Sequence, residues 1–347
     1  MNSVSKRNYH FDILRIIAML MIIMHHITIN DFGLLPHING TENHLSNTQL
    51  LILMIINSFV IVGVNLFFLI SGYFRIRFSF KKIISLIVQV YIVYGIVTGI
   101  GIISNHVVLE ENTIKNILFP FDLYWFLAAY VALMLLSPFL NNLIDYIKKD
   151  NKKIIILILL LFSLYAFRHD SGLFLNGGYS LLWAITMYIV GGLINKFKIQ
   201  NKHGIYLYII CAFLLAALVY GLFQAGKPQE AWGLYRYNNV IVLIESLGLF
   251  IWVNSWKFKI SSEKVIRIIS FLATNTLMVY LLHSTCWLTI IRRMPIVKIY
   301  QSGLFKLGIL LLPIYVLLIY IVCSLISLLY KVSFQRIINK LMSDKKV

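Results

Sequence analysis

The first apolar stretch of the chain contains four ionisable side chains, Asp12, Arg15, His25 and His26. An α-helix turns by about 100° per residue, so Arg15 and His26 project within about 20° of each other. They lie about 16 Å apart along the helix axis, and His25 projects roughly 80° away. The spacing predicts one polar helix face with a guanidinium at one end and an imidazole at the other.

These side-chain types indicate acid–base chemistry beside an anion. An imidazole accepts and returns a proton near neutral pH, so we interpret His26 as a general base. A guanidinium binds phosphate or carboxylate through its planar fork, which suits Arg15. Asp12, one turn before Arg15, is predicted to pair with it. The alternative for His26 is an interior histidine that bridges two helices.

Further candidates lie along the chain. His25, Glu245 and His283 are ionisable groups in apolar stretches, each serving either packing or function. Arg75, Arg77 and Lys81 form a cationic run after Ser71-Gly72. The run either binds phosphates of a ligand or anchors the chain through lipid phosphates. No residue cluster indicates a metal site.

The elements that position these residues are predicted to be membrane helices. The chain is 60% hydrophobic and 13% charged, whereas soluble domains have about 45–50% apolar and about 25% charged residues. The apolar residues occur in blocks long enough to cross a bilayer. We predict an all-α polytopic membrane protein with about ten transmembrane helices and a polar pocket in the bundle. The blocks lie near 11–30, 51–73, 83–103, 123–143, 154–167, 180–195, 205–223, 239–256, 268–290 and 306–330.

The distribution of cations orients these helices. Most of the 31 Lys and Arg residues fall in the loops that share a side with the N-terminus. Cytoplasmic loops are enriched in Lys and Arg, so both termini are predicted to be cytoplasmic. Residues 1–347 are predicted to form one transmembrane domain, with a short basic cytoplasmic tail at 331–347. The net charge of +18 does not indicate nucleic-acid binding, which needs a basic face on a soluble module.

Four segments, in order along the chain, resemble the acyltransferase-three family of polytopic membrane acyltransferases. They are Phe11–Ala18 with the Arg15-x10-His26 spacing, Asn65–Tyr73, Trp125-Phe126-Leu127 through Ser137-Pro138, and Tyr280–His283. The resemblance implies a ten-helix domain that takes an acyl group, usually acetyl, from cytoplasmic acyl-CoA. The resemblance implies that the acceptor is a hydroxyl on a cell-envelope glycan or on another extracytoplasmic acceptor.

The resemblance also assigns residues. It implies that Arg15 and His26 are needed for activity, with His26 deprotonating the acceptor hydroxyl or holding the acyl group itself. It associates Arg75 and Arg77 with CoA binding, whereas many relatives have an acidic residue where Asn65 stands. We therefore expect acyl-CoA as donor substrate, no bound cofactor, and membrane lipid, a glycan acceptor and cell-envelope glycan biosynthesis proteins as partners. The expected location is a bacterial cell membrane.

Two other functional classes fit part of the sequence. A transporter or flippase for a glycan lipid would use the same intramembrane histidine and arginine to relay protons. The sequence shows no internal repeat, which disfavours transporter folds built from repeated halves. A membrane scaffold without activity is hard to reconcile with so many intramembrane ionisable groups. Stabilisation by CoA would separate the enzyme from the flippase.

Overall fold

The computed structural model describes residues 8–40, 45–149, 176–285, 295, 298–299 and 303–335. These residues form helices and no β-strand. Two π-helical turns, Ile27–Asp31 and Lys331–Gln335, follow the first and last long helices. The α-helices are α1 (Tyr9–His26), α2 (Leu34–Ile38), α3 (Asn47–Val60), α4 (Gly63–Tyr73), α5 (Phe80–Ile103), α6 (Glu111–Leu118), α7 (Trp125–Tyr146), α8 (Leu181–Lys196), α9 (Gly204–Gln224), α10 (Pro228–Gly233), α11 (Val240–Asn254), α12 (Glu263–Thr274), α13 (Thr276–His283) and α14 (Phe305–Tyr330).

Six helical segments of the described part are long and apolar enough to cross a membrane. They are Tyr9–Asp31, Asn47–Tyr73, Phe80–Ile103, Trp125–Tyr146, Gly204–Gln224 and Phe305–Phe334. The number is seven when α12 and α13 count as one broken span, and α8 and α11 are shorter apolar helices. The predicted block at 154–167 and the end of the block at 268–290 lie outside the described residues. The polytopic all-α class is confirmed, while ten spans, the polar pocket and the cytoplasmic termini stay predictions.

The chain divides into two compact units. Unit 1 contains Met1–Ile76 and Leu136–Ala273, and unit 2 contains Arg77–Leu135 and Thr274–Val347. The single domain over 1–347 and the tail at 331–347 stay predictions, and the tail is described only to residue 335.

Close helix contact in unit 1 depends on small residues. A methyl group added at Gly72 of α4 would overlap the backbone carbonyl oxygen of Tyr188 in α8. One added at Gly191 of α8 would overlap the carbonyl oxygen of Leu69 in α4. The two backbones therefore touch at two levels, as expected for small residues at helix interfaces in membranes. This contact fixes the end of α4, two residues before Arg75.

In unit 2, α13 is held against the start of α7. The Tyr124 hydroxyl lies 3.2 Å from the Leu281 carbonyl oxygen and 3.0 Å from the Thr285 hydroxyl. The Tyr280 ring packs against the Phe126 ring, with their centroids 5.4 Å apart. Tyr280 and Phe126 belong to two of the segments that suggested the family, so these segments form a packed interface.

Candidate functional site

Arg15 is held in place by two neighbours near the start of α1. Its Nη1 lies 2.7 Å from Oδ1 of Asp12, as the sequence predicted. Its Cζ lies 5.3 Å from the centre of the Phe74 ring, a cation–π contact. The Asp12 side chain is 1% exposed and the Arg15 side chain 30%. The guanidinium therefore keeps part of its surface available although it is already oriented.

His26 is the last residue of α1, and the helix changes there from α-helical to π-helical geometry. The next five residues, Ile27–Asp31, form a π-helical turn, a conformation that is frequent at functional sites. The Thr28 hydroxyl donates to the carbonyl oxygens of Met24 and His25 across this change. His26 is half-buried, and its ring centre lies 5.7 Å from that of His25. α1 is continuous from Tyr9 to His26, so Arg15 and His26 keep the predicted helical spacing.

His25 faces α3 and binds a buried amide there. Its Nδ1 lies 2.6 Å from Oδ1 of Asn57, and both side chains are buried. The amide oxygen only accepts, so Nδ1 of His25 carries the proton and donates it. The same oxygen lies 3.5 Å from the Thr28 hydroxyl. The ring of His25 is thus fixed in one tautomer and one orientation beside His26.

A buried carboxyl in α11 interacts electrostatically with Tyr235. Glu245 of α11 is 0% exposed, and its two carboxylate oxygens have no hydrogen-bond partner among the described residues. The Tyr235 hydroxyl donates to the Met54 carbonyl oxygen at 3.0 Å and lies 3.4 Å from the Ser58 hydroxyl. Burial raises the pKa of Tyr235, and the Glu245 carboxyl raises it further, so the phenol stays protonated. We call His25, Asn57, Ser58, Tyr235 and Glu245 the Tyr235 cluster.

A second buried group of polar residues in unit 1 is fully hydrogen-bonded. The Asn65 amide donates to the Tyr237 carbonyl oxygen at 3.0 Å and to the Ser246 hydroxyl at 3.1 Å. Its oxygen accepts from the indole N–H of Trp183 at 2.9 Å. We call these four residues the Asn65 network. It joins α4, α8 and α11 through a neutral side chain.

Side chains from several helices hold the turn after α4. The Asn195 amide donates to the Tyr73 carbonyl oxygen at 2.7 Å, and the Asn141 amide donates to that of Ile76 at 3.0 Å. Arg75, in a left-handed conformation with φ of 50°, lies 2.7 Å from Oδ1 of Asp145. The turn therefore presents a half-buried arginine that already has a carboxylate partner.

Asp145 belongs to a helix end that a lysine caps. The Lys196 ammonium donates to the carbonyl oxygens of Ile144, Asp145 and Ile147 at 2.9, 2.6 and 2.7 Å. These are orphan carbonyl groups at the end of α7, where a cation is favoured. Lys196 thus has a structural role beyond marking a predicted cytoplasmic loop.

The remaining candidates belong to unit 2. Arg77 and Lys81 are exposed, next to and within the first turn of α5. His283 ends α13, is buried, and donates from Nδ1 to the Val279 carbonyl oxygen at 2.8 Å. Within the described ranges, no three His, Cys, Asp or Glu side chains are grouped as a metal site would require. The structure thus gathers Asp12, Arg15, His25, His26, Arg75 and Glu245 in unit 1 and leaves Arg77, Lys81 and His283 in unit 2.

Comparison with protein families identifies the class of this protein. The model of the acyltransferase-three family, described as an acyltransferase domain, matches residues 8–329. The chain belongs to the acyltransferase-three family. It is a membrane acyltransferase. The four segments that carried the resemblance all lie within the matched residues. No curated protein and no solved structure matches the chain.

Sequence reasoning about this acyltransferase missed several residues of unit 1. Asn57 and Asn65 lie inside apolar blocks, and an amide at that depth is a signal that could have been used. Asp145 and Lys196 gave no such signal, because both lie at helix ends where charged residues are ordinary. The roles predicted for Arg15 and His26 as catalytic residues stay predictions.

Proposed function

We propose that this acyltransferase transfers an acetyl group from cytoplasmic acyl-CoA to a hydroxyl of an extracytoplasmic or lipid-linked glycan. One observation carries the proposal: Arg15 and His26 lie on one continuous helix, each half-buried. Helical geometry puts them on the same face, about 16 Å apart. An anion-binding group and a base at this separation suit a donor that enters from one side and an acceptor from the other.

The proposed reaction is a direct transfer. The acceptor hydroxyl gives its proton to the His26 imidazole while its oxygen attacks the thioester carbonyl carbon. A C–O bond forms, the C–S bond breaks, and the leaving thiolate takes the proton from the imidazolium. No other reactant is needed. Arg15 binds a phosphate of CoA, and Asp12 and Phe74 orient the guanidinium for that contact.

Substitution of His26 tests the catalytic role. His26→Ala should abolish glycan O-acetylation, measured by mass in cells that lack the gene and are complemented with each variant. A matched control is His203→Ala, because His203 is exposed at the start of α9. The control should restore wild-type acetylation. Wild-type turnover by His26→Ala, at equal protein level, would show that the assigned role is wrong.

Donor binding separates the enzyme from the flippase. Purified protein should gain thermal stability with CoA or acetyl-CoA, because a ligand that binds only the folded state stabilises it. Arg15→Gln should lose most of this gain, whereas Arg267→Gln should keep it. Arg267 is a suitable control because its side chain is 79% exposed and pairs within α12. No stabilisation of the wild-type protein would favour the flippase.

A further inference from the structure

The end of α14 carries a polar face in an otherwise apolar helix. Ser324, Ser327 and Lys331 project within about 60° of one another on helical geometry. Ser324 and Ser327 are buried, and Lys331 is half-buried directly after the helix. Lys331 lies beyond the residues that the family model matches, which end at 329. Neither the family nor the proposed reaction assigns a role to this face.

Asn275, between α12 and α13, is the partner of this face. Its Oδ1 lies 2.6 Å from the Lys331 ammonium and 2.9 Å from the Ser327 hydroxyl, and both of these groups donate to it. The amide group is therefore oriented with its Nδ2 hydrogens directed away from these two donors. The Asn275 side chain is 1% exposed. Asn275, Ser327 and Lys331 all lie in unit 2.

Two buried donors of this region have no partner among the residues that the structure describes. The Nδ2 group of Asn275 and the hydroxyl of Ser324 make no hydrogen bond to any residue that the structure describes. A buried polar group without a partner destabilises the fold. No ion pair of the described residues includes Lys331 either. Within the described part of unit 2, the region thus combines an ammonium that has no carboxylate partner with N–H and O–H groups that can still donate.

We propose that Lys331 and Asn275 bind a phosphate ester at this end of α14. A phosphate supplies several acceptor oxygens and negative charge, which complement an ammonium and an amide N–H. A neutral sugar would leave the ammonium without a counter-charge, and a cation would be repelled by it. Ser324 extends the polar face one turn deeper. The phosphate belongs either to CoA, which rests on the proposed function, or to a lipid headgroup.

Direct binding by the full-length protein tests the site. CoA is titrated against protein in an uncharged detergent, and phosphatidic acid is titrated in phosphatidylcholine nanodiscs. Lys331→Gln and Asn275→Ala should each weaken binding of one of these probes about tenfold. Lys331→Arg keeps the charge and should retain most of the affinity. Lys306→Gln is the control, since Lys306 is exposed at the opposite end of the same helix.

The two probes distinguish the two sources of the phosphate. An effect on CoA alone identifies a donor site, and an effect on phosphatidic acid alone identifies a headgroup site. Wild-type affinity of Lys331→Gln for both probes would overturn the proposal and leave Lys331 as a cation that favours the helix C-terminus. The assay needs no acceptor and no turnover. Loss of phosphate binding and loss of glycan acetylation are therefore scored separately, so either proposal can fail alone.

Discussion

Unit 1 contains two buried groups of polar residues, the Asn65 network and the Tyr235 cluster, which include the adjacent residues Ser246 and Glu245 of α11. They differ in the hydrogen bonding of their polar atoms. Ser246 belongs to the Asn65 network, in which the Asn65 amide oxygen and nitrogen both have partners. Glu245 belongs to the Tyr235 cluster, in which its carboxylate oxygens and the Nδ2 of Asn57 have none among the described residues. The two groups therefore differ in hydrogen bonding rather than in burial.

This difference in hydrogen bonding indicates which group has a structural role and which is a candidate for chemistry. A fully bonded buried amide stabilises one packing of its helices and leaves no group for a ligand. A buried carboxyl without a partner destabilises the fold, so an intramembrane acid of this kind is a candidate for function. The cluster also contains His25, next to His26. The Asn65 network therefore has a structural role in unit 1, whereas the Tyr235 cluster is a candidate for a role in the reaction.

The largest loss of unfolding free energy is expected from a substitution of Asn65, the central residue of the Asn65 network. Asn65→Leu would remove three buried hydrogen bonds of the Asn65 side chain, to Tyr237, Ser246 and Trp183. Each hydrogen bond contributes about 0.5–1.5 kcal/mol, so the loss of unfolding free energy should be about 2–4 kcal/mol. Unfolding of the purified protein in mixed micelles measures it. Thr186→Val, which removes only a bond within α8, is the control. Equal stability of the two variants would contradict the structural role.

In the Tyr235 cluster, a substitution is expected to raise the unfolding free energy rather than lower it. Glu245→Leu removes a buried carboxyl that has no described partner, so it should raise the unfolding free energy by about 1–3 kcal/mol. Acyl transfer should fall at the same time if the carboxyl serves the reaction. The same unfolding measurement and a transfer assay on one preparation give both numbers. A destabilised Glu245→Leu would show that the carboxyl has a partner, and unchanged transfer would remove it from the reaction.

The sequence predicts the elements of this protein better than their contacts. Length and apolarity locate the six long helical segments, because a bilayer sets the length of a span. The Asp12–Arg15 pair follows from helical spacing alone. The bond from His25 to Asn57 joins α1 to α3, and that from Trp183 to Asn65 joins α8 to α4. Such partners depend on how helices pack, which one sequence does not specify.

The candidate site residues could be identified from the sequence to a similar extent. Arg15 and His26 stand out because ionisable groups inside an apolar block are rare. The cationic run at Arg75 also stands out, but its partner Asp145 lies at the far end of α7 and is ordinary in sequence. Asn275 and Lys331 are brought together only by the packing of unit 2. Candidates that stand out by residue type alone could thus be identified from the sequence, and contacts that depend on a distant partner could not.

The smallest effect on the unfolding free energy is expected at the turn after α4, where Arg75 and Asp145 form a partly exposed ion pair. The Arg75 and Asp145 side chains are 28% and 60% exposed, and exposed ion pairs contribute about 0–1 kcal/mol. Arg75→Gln and Asp145→Asn should therefore unfold almost like wild type. Their CoA affinities should differ, because Arg75→Gln removes a cation whereas Asp145→Asn releases one. Titration with CoA should show weaker binding by the first and equal or tighter binding by the second. Equal affinity in both variants would limit Arg75 to holding the turn and leave Arg15 as the donor cation of unit 1.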